Sequence, residues 1–145
     1  MVNIKDIAGG FAGAAALNIL HETYKRLGKD APRIDLVGEE AVTKGMESIG
    51  AEPPKGNALY ATTLAGDILS NSLYYSMIGA GKKKNLIWRG AGYGLAAGIG
   101  ALTLTKPMGL SDAPITKTNQ TKVLTVAWYL IGGLVAALAI GKLKE

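Results

Sequence analysis

Asp67 stands in an otherwise apolar stretch, and polar side chains recur around it: Tyr60, Thr63, Asp67, Ser70/Asn71 and Tyr74 follow at intervals of three or four residues. That spacing stacks them on one face of a helix. Nearer the N-terminus, Asn18, His21, Glu22 and Lys25 form a second face by the same spacing. The chemistry open to these residue types is binding or passing a proton, an ion or a small polar solute. Asp67, His21 and Glu22 are the titratable or coordinating groups, and Asn18, Asn71, Thr63 and Tyr74 are the hydrogen-bonding lining.

Other chemistries are less well served. A metal site would draw on the same side chains, but a lone histidine with two carboxylates lacks a ligand spacing such as His-Glu-x-x-His, so no metal is expected. No cofactor motif is present either: Gly90-x-Gly92-x-x-x-x-x-Gly98 has no strand before it and no βαβ unit around it. Acid–base catalysis by the Glu22/His21 pair has no nucleophile or substrate signature beside it. The bland alternative is that the groups pair internally, Asp67 with His21 or Lys25, as glue between helices.

The elements that must position these residues follow from the hydrophobic pattern. Residues 59–80, 86–105 and 123–141 each approach the roughly twenty apolar residues that a bilayer core requires. Each is followed by a stop signal: Lys82-Lys83-Lys84, Lys106-Pro107, and Lys142 with Lys144. Trp88, Tyr93, Trp128 and Tyr129 lie near the ends of these segments, where amphipathic rings favour the headgroup level. A fourth segment, 7–27, has a short apolar part interrupted by Asn18; its length also resembles a signal peptide, but it runs on through His21 and Glu22 without a convincing cleavage site. In the connection after it, Ile34, Val37, Ala41, Val42, Met46 and Ile49 recur at helical spacing opposite Glu39, Glu40, Lys44 and Glu47, which predicts an amphipathic helix over 34–49. Arg33-Ile34-Asp35 and Glu39-Glu40 read as a solvated charged face or the mouth of a site. Residues 107–122, rich in Ser, Thr, Asn and Pro, read as a loop.

Glycine supplies a second pattern. Of 20 glycines, Gly90, Gly94 and Gly98 form one row with four-residue spacing, Gly92, Ala96 and Gly100 a second, and Gly133, Ala137 and Gly141 a third. Rows of small residues let helix backbones approach closely, within one chain or between copies.

The chain has 145 residues, 48% of them hydrophobic, a formal charge of +5 and no cysteine. That length holds one unit, the missing cysteines exclude disulfides and thiolate sites, and basic residues without interleaved aromatics argue against nucleic acid as a partner. Taken together, the sequence predicts an all-α, polytopic membrane protein: a four-helix transmembrane bundle with an extra amphipathic helix in the first connection, residues 1–145 forming a single membrane domain. The expected function is a multi-pass protein with a polar intramembrane site for binding or translocating a proton, ion or small solute, its termini both cytoplasmic and its partners the lipid bilayer and either a second copy or another membrane protein. A non-catalytic membrane scaffold using the Gly/Ala faces is the competing expectation.

Overall fold

Asn3 and Asp6 open the first helix by capping each other. The Asn3 Oδ1 accepts from the Lys5 and Asp6 amides, and the Asp6 carboxylate accepts from the Asn3 amide at 2.9 Å. A computed structural model describes residues 1–145 as six helices: α1 (Ile4–Tyr24), α2 (Ile34–Ser48), α3 (Asn57–Ser76), α4 (Leu86–Leu104), α5 (Ala113–Thr116) and α6 (Asn119–Leu143). Two short 3-10 turns, Met77–Ala80 and Lys83–Asn85, join α3 to α4. Gly50 and Gly56, at φ 75° and 57°, turn the chain between α2 and α3 in the left-handed region where a side chain is disfavoured. The Thr118 hydroxyl, accepting from the Thr121 amide at 3.1 Å, caps α6. The segment 107–122, expected as a loop, thus contains a short helix and the start of a long one.

α1 lies between α3 and α6, α4 packs on α6, and α2 packs on α3. Small residues set the spacing. Gly13 of α1 faces Gly132 and Ala136 of α6, Gly10 faces Ser76 of α3, and Gly90, Gly94 and Gly98 of α4 face Gly133, Leu130 and Val126 of α6. The first and third glycine rows therefore meet within the chain. Around these approaches Leu17, Tyr75, Ile78, Leu86, Trp128, Ala136, Ala137 and Ile140 form the core. Two tyrosines satisfy their hydroxyls across it: Tyr75 donates to the Tyr129 carbonyl at 2.8 Å and Tyr74 to that of Tyr93 at 2.9 Å. At the far end Lys144 Nζ lies 2.6 Å from the fully buried Asp6 carboxylate and donates to the Gly79 carbonyl at 2.9 Å.

The all-α class stands, but the four-span membrane bundle is corrected. Only Asn119–Leu143 is long and apolar enough to cross a membrane, with a mean hydropathy of 2.2. α1 carries Lys5, Asp6, His21 and Glu22, α3 carries Asp67 with a run of hydroxyls, and glycines dilute α4. The long apolar stretches also serve extensive packing of α1 on α3, α1 on α6 and α4 on α6, with polar groups tied by internal hydrogen bonds and ion pairs. The expectations built on four spans go with it: the intramembrane binding or transport site, the membrane scaffold, the bilayer and membrane-protein partners, and the multi-pass location with cytoplasmic termini. The amphipathic helix predicted over 34–49 is present as Ile34–Ser48, but it lies on the bundle with no residue fully buried.

Candidate functional site

Where α1, α2 and α3 converge they enclose a cavity of about 10 Å³, close to the smallest that holds a single water. Asn18, His21 and Glu22 enter it from α1, Thr63 and Asp67 from α3. These five expected residues come together. Asn71 and Tyr74, also expected in the site, do not reach it: they line a separate groove of about 420 Å³ floored by Ala96, Ala97 and Gly100 of α4. Tyr129 of α6 lines that groove and meets His21 edge-on, ring centroids 6.2 Å apart, so the one polar face of α3 serves two places.

Four lining residues escaped the expected set. Ile34 and Asp35 come from α2, and Tyr60 and Leu64 from α3. The signal for Tyr60 was present, since it begins the polar stripe; Asp35 looked like part of a solvated face because nothing in the sequence shows α2 folding back over α3. Gly38 makes that fold-back possible. A Cβ there would stand 2.6 Å from Thr63 Cγ2 and 3.5 Å and 3.6 Å from the Asp67 carboxylate oxygens, so only a glycine lets α2 settle on this part of α3.

The charges at the rim are arranged in pairs. Arg33 grips Asp35 through two hydrogen bonds of 2.9 Å and 2.8 Å. Lys25 sits 2.8 Å from Glu22 and 3.7 Å from Asp35, with its ammonium 4.6 Å from the centre of the Tyr60 ring. Burial alone would raise both carboxyls, but Lys25 for Glu22 and Arg33 for Asp35 outweigh it and hold them below the ordinary carboxylate value. The expected pairing of Lys25 with Asp67 is therefore absent; Lys25 is taken by Glu22 and Asp35.

Inside, the groups are left open. Asp67 makes no ion pair and accepts no hydrogen bond at its carboxylate, and burial, then the negative charge of Asp35, pushes its pKa up to about 6. Burial likewise lowers His21 to about 4, against the opposing pull of the Asp35 and Glu22 carboxylates, so the ring is neutral at neutral pH. The buried His21 Nε2 and Thr63 Oγ1 have no hydrogen-bond partner.

Thr63 is the informative case. Thr62, Thr103, Thr105 and Thr125 all return their hydroxyls to the carbonyl four residues back, the usual resting place for a helical threonine. Thr63, only 3% exposed, does not. The Asn18 Nδ2 donates to the Ala14 carbonyl at 2.9 Å, while its Oδ1 accepts nothing. No three His, Asp or Glu side chains converge closely enough to hold a metal. The chain matches no family model, no curated protein and no solved structure.

Proposed function

We propose that this helical bundle is a binding module whose site is the α1/α2/α3 cavity, taking one small polar ligand of about the size of a water molecule. Asp67, Thr63, His21 and Asn18 contact the ligand, Glu22 with Lys25 forms the rim, and α2 is the cover. The observation that carries this reading is Thr63: a fully buried hydroxyl in a polar cavity without a partner costs about 1–3 kcal/mol, a cost that a ligand in the cavity removes. Asn71 and Tyr74 lie outside this site, in the separate groove that Tyr129 lines.

The test is a titration followed by NMR. The His21 ring and Asn18 side-chain amide resonances are recorded while ammonium chloride, methanol or formamide is added to the full chain. At least one of these probes is expected to shift both sets of signals saturably, and Thr63→Val is expected to weaken that binding several-fold, the worth of one neutral hydrogen bond. If none of the probes moves them, the cavity is a packing feature and the reading falls.

A further inference from the structure

Of the six helices, α2 alone gives no residue to the interior. The core is drawn from α1, α3, the turn after it, α4 and α6, and even the short α5 buries Ile115, whereas none of the 15 residues of α2 is buried. What seats α2 is polar and peripheral. Lys44 Nζ donates to the Gly109 carbonyl at 2.7 Å, the Glu40 carboxylate accepts from the Ser111 amide at 2.9 Å, and Asp35 lies 3.7 Å from Lys25. Between these ties the contact with α3 runs through Gly38, against Thr63 and Asp67. The Arg33–Asp35 pair joins neighbouring residues and travels with the helix.

The two connections of α2 differ. The one before it is anchored: Ala31 and Pro32 are buried, the Arg33 amide donates to the Pro114 carbonyl at 3.1 Å, and Lys117 Nζ donates to that of Lys29 at 3.2 Å. The one after it is slack: Glu52, Pro53, Pro54 and Lys55 take part in no backbone hydrogen bond, and the left-handed Gly50 and Gly56 stand on either side of them. An anchored root, a slack return and an unburied helix between them are the parts of a hinge.

We infer that α2 is a lid that pivots at Pro32–Arg33 and lifts from α3 while the bundle of α1, α3, α4 and α6 stays folded. The inference rests on the binding reading above for its purpose and supplies the entrance to that site. Thr63 is 3% exposed, with its Oγ1 covered and Gly38 packed against its methyl group, so α2 is the wall whose removal opens the cavity at no loss to the core. Lifting it breaks a few exposed polar ties, each of which holds a helix only weakly. Moving α1 or α3 instead would pull apart Leu17, Tyr75 and their neighbours. Once lifted, α2 does not keep its helix, because fifteen residues that include Gly38 and Gly45 are too short and too glycine-rich to hold one alone in water. Its amides therefore exchange whenever the lid is up.

Hydrogen exchange of the full chain, followed by NMR, tests this. After correction for intrinsic rates, α2 amides are expected to exchange at least about a hundredfold faster than those in the middle of α1, α3 and α6. The chain has no cysteine, so single thiols give a second readout. Thr63→Cys lies under the lid, and Leu17→Cys lies in the core, where Leu17 is 1% exposed. With iodoacetamide, Thr63→Cys is expected to react much the faster and to respond little to low urea, because lid opening exposes little surface; Leu17→Cys is expected to accelerate steeply. Lys44→Met, which cuts the tie to Gly109, is expected to speed Thr63→Cys roughly two- to fivefold. Equal exchange of α2 and the bundle, or equal urea dependence of the two thiols, means that α2 leaves only when the whole chain unfolds and overturns the lid. Exchange of the middle of α3 along with α2 overturns it too, since α3 then opens as well. If a thiol variant does not fold, the exchange pattern of the unaltered chain decides. Fast α2 exchange with a silent ligand titration keeps the lid and removes the binding reading; a saturable titration with a protected α2 does the reverse.

Discussion

His21 and Asp67 are shifted in opposite directions by the same cause, burial, and their effects on stability oppose each other. His21 falls from an ordinary 6.5 to about 4, so between those values the unfolded chain holds a proton that the folded chain has shed, and stability rises with pH. Asp67 climbs from 3.8 to about 6, so between those values the folded chain holds the extra proton, and stability falls as pH rises. Each contribution is roughly 3–3.5 kcal/mol at about 1.4 kcal/mol per tenfold change in proton affinity. Together they nearly cancel, and the wild-type protein is expected to show little pH dependence from this pair between about pH 4 and 6. His21→Gln leaves Asp67 acting alone, so the Tm of that variant is expected to fall as pH is raised across this range. Asp67→Asn leaves His21 alone, and its Tm is expected to rise. Calorimetry of the three proteins over a pH series decides it; parallel curves would show that neither group is held in the state its surroundings imply.

At the scale of elements, spacing revealed which residues share a face but not what the face meets. The rows Gly90/Gly94/Gly98 and Gly92/Ala96/Gly100 look equivalent in the sequence, yet only the first packs against α6. A Cβ on Gly94 would stand 2.7 Å from the Leu130 Cα, whereas one on Gly92 has nothing within 4 Å. Gly94→Ala is expected to destabilise by about 1–3 kcal/mol through overpacking of backbone against backbone. Gly92→Ala is expected to be neutral or to stabilise by up to about 1 kcal/mol, because alanine restricts the unfolded chain and favours helix. Urea denaturation of the two variants measures the contrast, and equal losses would contradict the packing described. The site was legible for the same reason and to the same extent. Asn18, His21, Glu22, Thr63 and Asp67 share faces that period alone identifies, and the faces of α1 and α3 do meet. Asn71 and Tyr74 continue the α3 face, but the cavity ends before reaching them. Asp35 entered because Gly38 lets α2 fold back, a tertiary fact that local pattern does not carry.

For the whole molecule, hydropathy proved the least discriminating signal. A run such as Leu86–Leu104 contains a face packed on α6, with Gly90, Gly94 and Gly98 buried, and outward residues such as Trp88 and Ile99, and a window average merges the two. Period survives that averaging, which is why most helix positions were legible although four spans were wrongly inferred. The chain's closure depended on an interaction with no local signature at all, between its first and last turns. Asp6 is fully buried, and Lys144, its counter-charge at 2.6 Å, also donates to the Gly79 carbonyl, so one ammonium joins α6 to α1 and to the turn after α3. Lys144→Met keeps the apolar stem and removes the charge, leaving a buried carboxylate uncompensated, and is expected to cost about 3–5 kcal/mol. Asp6→Asn in that background removes the stranded charge, retains an acceptor for the Asn3 amide, and is expected to restore more than half of the loss. A double-mutant cycle by urea denaturation isolates the coupling between the two residues. A coupling near zero would mean that the ends of the chain are held by the packing of Gly9 on Ile140 alone; a coupling of about 2 kcal/mol or more would make this ion pair the element that fixes the C-terminus of α6 to the rest of the bundle.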